Sequence, residues 1–130
     1  MSHWTICKVK IKNPDINLLK QALQVIAEEL GVNQVVENMV VRGWHGKRKC
    51  LYAIPMALPY GNGYGVYIDK NGEVKVVVDD HGAPLSASTF ANKLLQYYTA
   101  LAVASASQQL GFNVQNFQQT REGVLIELVR

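Results

Sequence analysis

Only two stretches of this chain carry the three-and-four spacing of an amphipathic helix, whereas several shorter ones alternate or read as turn-bounded strands. That imbalance is the tightest constraint on its fold. Two helices cannot cover both faces of a sheet of about seven strands, so the expected arrangement is an antiparallel sheet with both helices packed on one face, an α+β sandwich. The first strand runs over 4–12, with Cys7, Val9 and Ile11 on one side and Lys8, Lys10 and Lys12 on the other. Asn13-Pro14-Asp15 opens a helix, with Asn13 as the cap, Pro14 in the first turn and Asp15 at the positive dipole end. Leu19, Leu23, Ile26 and Leu30 form its apolar stripe, and Gly31 ends it.

Strands are expected next over 35–42, 49–56, 64–69 and 73–79. The last two are joined by Lys70-Asn71-Gly72, where both Asn and Gly tolerate the positive φ of a tight hairpin. A second helix of about 20 residues is capped by Ser86 or Ser88 and buries Phe90, Leu94, Tyr97 or Tyr98, Leu101 and Ala104. Tyr97 and Tyr98 are adjacent, so one packs inward and the other is free for a partner or pocket. Gly111 stops this helix, and 112–119 with 124–129 form a closing hairpin with Val124, Ile126 and Leu128 toward the core. The predicted order is β-α-β-β-β-β-α-β-β in a single domain, 1–130.

Composition narrows the class. Hydrophobic residues are 48% and charged residues 18%, which excludes a disordered chain. A mass of 14.4 kDa buries about two-thirds of its unfolded surface on folding, enough for one core. The N-terminus has no charged region followed by an apolar one, and the longest apolar-leaning run, Ala100 to Ala106, falls far short of a membrane span. A soluble, cytoplasmic protein is expected. Cys7 and Cys50 lie in strand-like apolar contexts and read as buried small hydrophobes, although one bridge between them is arithmetically open.

The net charge of +3 is too small to define a nucleic-acid binder. Its placement says more. Residues 1–58 hold eight basic and four acidic groups, net +4, and residues 59–130 hold five against six, net −1. Arg42, Lys47, Arg48 and Lys49 flank Trp44 and His45. If the first three strands adjoin, Lys8, Lys10 and Lys12 share a face with this loop. The result would be a positive surface with an aromatic in it, suited to phosphate backbones and base stacking. A solvated hairpin tip whose lysines protect a strand edge is the plainer reading. Asp79-Asp80-His81, with His45 or Asp69, offers oxygen and nitrogen ligands for a divalent metal or an acid–base pair, although Asp and Gly are also ordinary turn formers. His3 reads as structural or exposed. The glycines of Gly61-Asn62-Gly63-Tyr64-Gly65 lack the strand-to-helix context of dinucleotide binding, and no nucleophile elbow, metalloprotease or kinase signature occurs.

Several short motifs point to a family. They are Met1-Ser2-His3-Trp4 before the lysine-alternating strand, Val41-Arg42-Gly43-Trp44-His45-Gly46, Tyr64-Gly65-Val66, the Val78-Asp79 strand end, and Phe90, Leu94 and Tyr97-Tyr98 before Gly111-Phe112. In these the chain resembles the conserved chloroplast open-reading-frame thirty-five family, which has bacterial and archaeal relatives. It departs after Asp79, where Asp80-His81 stand in place of the aromatic residues relatives tend to carry. The resemblance implies a small accessory protein associated with an AAA-type ATPase, with no established activity.

The leading expectation is a non-enzymatic accessory or adaptor protein of otherwise unknown function, needing no cofactor. Its binding surface would be Lys8, Lys10, Lys12, Arg42, Trp44, His45, Lys47, Arg48 and Lys49, its partner a protein such as an AAA-type ATPase, with homodimerisation by sheet packing open. The first alternative is a nucleic-acid-binding module. The second is a metal-dependent or small-molecule enzyme using Asp79, Asp80 and His81.

Overall fold

Alternation and helical spacing produce nine elements in the expected order. The computed structural model describes residues 3–120 and 123–130. Its elements are β1 (Trp4–Lys12), α1 (Ile16–Glu29), β2 (Val36–Arg42), β3 (Lys47–Pro55), β4 (Gly63–Ile68), β5 (Glu73–Asp79), α2 (Ala87–Gln109), β6 (Asn113–Thr120) and β7 (Gly123–Val129). The fold is α+β with antiparallel pairing throughout. The seven strands divide, however, into a five-stranded sheet in the order β1-β5-β4-β3-β2 and a separate β6–β7 ribbon.

Both helices lie on one face of the five-stranded sheet. Leu19, Leu23 and Ile26 of α1 and Phe90, Leu94 and Tyr97 of α2 are sealed against Val9, Ile11, Tyr52, Ile54, Tyr64, Val66, Val74, Val76 and Val78. Each fully buried Leu or Ile contributes about 1.5–3 kcal/mol, so Leu23→Ala costs about 2–5 kcal/mol. Hydrogen bonds fix how the helices sit. The Tyr64 hydroxyl donates to the Leu85 carbonyl at 2.8 Å and accepts the Leu85 N–H at 2.9 Å, fixing the approach to α2. Tyr97 donates to the Glu29 carboxylate, which also pairs with Lys93 at 3.1 Å.

Local chemistry differs from expectation at three places. The cap of α1 is Asp15, not Asn13: its carboxylate accepts from Asn17 and Leu18, while Asn13 turns the chain at φ 49° and donates its N–H to Gly72. Tyr98 is not free for a partner, because its hydroxyl accepts the Asp15 N–H at 2.8 Å. In the β4–β5 turn only Gly72 takes positive φ. Asp69 replaces a tight two-residue turn by accepting from Asn71 and Glu73, which pull its carboxyl below the usual carboxylate range. Ser86 is the cap of α2.

The second face of the sheet is covered by the chain's own β2–β3 hairpin. Side-chain alternation reverses near Asn38, which sits at φ 55° opposite Leu51. Tyr52 therefore joins the helix-side core, whereas Cys50 and Val41 pack on the other face with Ala53, Tyr67, Val77 and Trp4. The hairpin folds back over β4 and β5, and Gly65 is where it crosses most closely. A Cβ at Gly65 would strike the Cys50 sulfur and come within 2.8 Å of Val41 Cγ2.

The first three strands do not adjoin, and the condition for a shared lysine face by strand pairing is not met. β1 and β2 are opposite edges of the sheet, with β5, β4 and β3 between them. Lysine alternation reads a face but not a neighbour, because strand order is set by long-range pairing.

Candidate recognition surface at the open end of the sheet

The folded-over hairpin brings its turn, residues 43–46, to the start of β1 and the end of β5. Trp4 pairs with Asp79, and the turn lies against both. A Cβ at Gly43 would sit 2.6 Å from Asp79 Cβ, and one at Gly46 would overlap the Trp4 indole. These two positions must therefore be glycine for the turn to close, and the Gly43 N–H donates to the Gly46 carbonyl at 2.8 Å. The next loop docks on the same hairpin: Asn62 accepts from the Arg42 N–H at 2.8 Å and donates to the Val40 carbonyl at 3.0 Å.

Asp79 joins these segments from below. Its side chain is fully buried, and its carboxylate accepts N–H donors from His3 at 2.9 Å, Trp44 at 3.0 Å and His81 at 3.4 Å. Burial pushes its pKa up, but these backbone donors outweigh it and hold the carboxyl below the usual range. One carboxylate thus binds the N-terminal segment, the β2–β3 turn and the β5–α2 loop together. Asp80 is used likewise: one oxygen accepts the Ala87 N–H at 2.7 Å, at the start of α2, and the other lies 3.9 Å from His3 Nδ1.

Above this base the aromatic side chains form one continuous row. Ring centroids are 6.1 Å apart from His45 to Trp44, 5.5 Å from Trp44 to Tyr60, 5.2 Å from Tyr60 to His81 and 5.3 Å from His81 to His3. All three histidines of the chain are in it. The spacings lie within the range for favourable aromatic pairs, mostly edge to face. His3, Trp4, Thr5, His45 and Asp80 line an open cleft beside the row. Trp44 is 64% exposed, although its backbone is tied down.

The residues of the expected binding surface do not form one patch. Arg42, Trp44, His45 and Lys47 stand at or beside the turn, all exposed. Arg48 lies over the Tyr67 ring at 3.9 Å, and Tyr67 is in register with Lys75, which is in register with Lys8. Lys8 therefore reaches the same side of the sheet as the hairpin, by a row of side chains rather than by strand pairing. Acidic neighbours offset this row: Lys8 pairs with Glu73 at 3.1 Å and Lys75 with Asp69 at 3.5 Å. Lys10 and Lys12 run on toward the far end of β1, and Lys49 is exposed on β3.

Of the residues considered for acid–base or metal chemistry, Asp79, Asp80, His81 and His45 share this end of the sheet, whereas Asp69 lies at the other. Asp69 lies in the β4–β5 turn beside Glu73, and Asp79 ends β5, about 20 Å further along the strand. Asp79 is enclosed by its N–H donors, and among the described residues no three His, Cys, Asp or Glu side chains converge as a metal site requires. Cys7 and Cys50 are free and face opposite sides of the sheet. Burial raises both thiols, Cys50 to about 11, so neither is an activated nucleophile. Sequence reasoning misses Tyr60, an aromatic in a loop of turn formers with no periodicity or charge to mark it.

The fold and this end surface define a small α+β protein whose loops, not its sheet core, present the exposed chemistry. Residues 26–129 match the family model described as Protein of unknown function (DUF1257), and the chain belongs to that family. No curated protein and no solved structure matches it. No helix among the described residues is long and apolar enough to cross a membrane.

Proposed function

We propose that this protein is a non-enzymatic accessory or adaptor protein that recognises a protein partner through the aromatic row and its basic flank. The carrying observation is Trp44: a large aromatic held 64% exposed on a turn tied by its backbone to a buried carboxylate. Rigid exposed Trp and Arg side chains are the commonest anchors of protein interfaces, because little entropy is lost when they dock. Arg42 and Lys47 on the same turn favour a partner with acidic groups around an apolar pocket. The likeness to the chloroplast open-reading-frame thirty-five family makes an AAA-type ATPase the first partner to test, in a cytoplasmic setting.

The test is affinity purification from the native host with the wild-type chain and with Trp44→Ala. Stoichiometric co-purification of one partner with wild type, lost with Trp44→Ala, is expected. Equal recovery with both forms would remove the aromatic row from the interface.

Nucleic-acid binding is the second reading, favoured by the same exposed Trp beside Arg42 and Lys47. It requires retardation of single-stranded nucleic acid at low salt that weakens steeply as salt rises, and uniform weakening by Lys47→Ala. No retardation at low salt eliminates it.

A further inference from the structure

The β6–β7 ribbon and the second half of α2 form a surface that the aromatic row does not use. The ribbon packs on α2 and pairs with no strand of the main sheet. Two-stranded ribbons are marginal by themselves, and both edges of this one carry unpaired backbone groups. Five of the exposed large apolar side chains lie here: Val103, Leu110, Leu125, Leu128 and Val129. Val103 and Leu125 flank an apolar groove between α2 and β7, floored by Leu95, Ala100, Val124 and Ile126.

Charge indicates what occupies it. From Leu94 to Thr120 there is no Asp, Glu, Lys or Arg. The main sheet guards its outer strands against self-pairing: β1 carries Lys8, Lys10 and Lys12, and β2 carries Glu37, Arg42 and Asn38 at positive φ. On the ribbon, β6 has no charge and no proline, and β7 has Glu127 alone. Arg130, over the Phe112 ring, adds one charge opposite to Glu127, so a partner of uniform sign finds little to read on such a surface. A second copy meets its own neutral face, where like-charge repulsion, the usual obstacle to two-fold packing, is missing. An eight-residue strand is roughly 26 Å long, and ribbon plus helix are roughly 20 Å across. That footprint is of the order of the ~800 Å² each partner contributes to a standard interface.

We propose that the groove between α2 and β7, with the free ribbon edges, is a homodimer interface in which the same surface of a second copy is the occupant. Val103 and Leu125 lie at its centre.

The test is sedimentation of the full chain over a concentration series. Wild type is expected to pass from monomer to dimer. Val103→Glu and Leu125→Glu, both at exposed positions, are expected to weaken the dimer about 100-fold by forcing a carboxylate into an apolar contact. Lys70→Glu, exposed in the β4–β5 turn, leaves it unchanged. Circular dichroism melts confirm that each variant is folded; one that is not is replaced by Val103→Gln or Leu125→Gln, for which about tenfold weakening is expected. In wild type, amides of 113–120 and 123–129 gain hydrogen-exchange protection as concentration rises. A chain that stays monomeric throughout, or a dimer unmoved by changes at both positions, overturns the proposal.

Discussion

The molecule contains two long hairpins that make opposite use of the same kind of sequence. The β2–β3 hairpin folds over its own sheet, buries Val41 and Cys50, and has its turn bound to Asp79 and Trp4. The β6–β7 ribbon rests on one helix and leaves Leu125, Leu128 and Val129 in solvent. The difference arises from a buried acceptor. Asp79 gives the first hairpin a fixed polar destination at which three backbone donors are satisfied together, whereas the ribbon meets α2 along a mainly apolar groove lined by Leu95, Ala100, Val124 and Ile126. Polar ties specify one geometry because leaving a buried donor unpaired is costly, while apolar contact tolerates many partners.

The sharpest way to break this contrast is to remove the acceptor. Asp79→Ala leaves the His3, Trp44 and His81 N–H groups without their partner, and a loss of about 3–5 kcal/mol in urea unfolding is expected. A loss under about 1 kcal/mol would mean that water replaces the carboxylate and the loops are not tied through it.

Next in size is the glycine turn. Gly46→Ala drives a methyl into the Trp4 indole, and about 2–3 kcal/mol of destabilisation is expected by the same measurement. Gly111→Ala, at φ 88° but with nothing within 4 Å, is expected to cost only about 1 kcal/mol, backbone strain without a clash. Equal effects would show that the turn can move away from Trp4.

Acid separates the two hairpins by charge. The Asp79 carboxyl has a folded pKa below its unfolded value near 4, so its contribution is complete above that value and lost as pH falls through the folded pKa. The urea midpoint is expected to drop below about pH 4, and Asp79→Asn is expected to flatten that drop in part, since Asp69 shifts in the same direction. An undiminished drop in the Asn variant would assign the acid sensitivity to other carboxylates.

The smallest expected effects on stability fall on exposed side chains in both regions. Trp44→Ala, despite its ring contacts with Tyr60 and His45, and Leu128→Ser on the ribbon are each expected to change stability by about 0.5 kcal/mol or less. A large effect of Trp44→Ala would make that side chain structural and weaken its role as a recognition anchor.

Much of the fold could be read before any coordinates. The β1 alternation, the Leu19-Leu23-Ile26 stripe and the stop at Gly31 are local patterns whose periods match the structures they form. The cap of α1 could not be placed as securely, because Asn13 and Asp15 are both good capping residues and only Tyr98, from the other helix, fixes the start of the turn. For the site, the Trp44 turn was visible through its charge and glycines. The function of Asp79 was not. A strand-end Asp-Asp-His looks alike whether it binds a metal or accepts backbone donors, and two of its three donors come from residues 76 and 35 positions away.

The sequence by itself determined which segments are strands and helices, the class of the fold, and that the basic excess lies in the first half. Those properties follow from side-chain period, turn chemistry and composition, each acting within a few residues. Only the tertiary structure decided that β1 and β2 lie at opposite edges, that a hairpin folds across the second face, and that His3, His45 and His81 share one aromatic row. Those depend on which distant segments bury each other's apolar faces and satisfy each other's backbone groups, a choice that a local pattern permits but does not make.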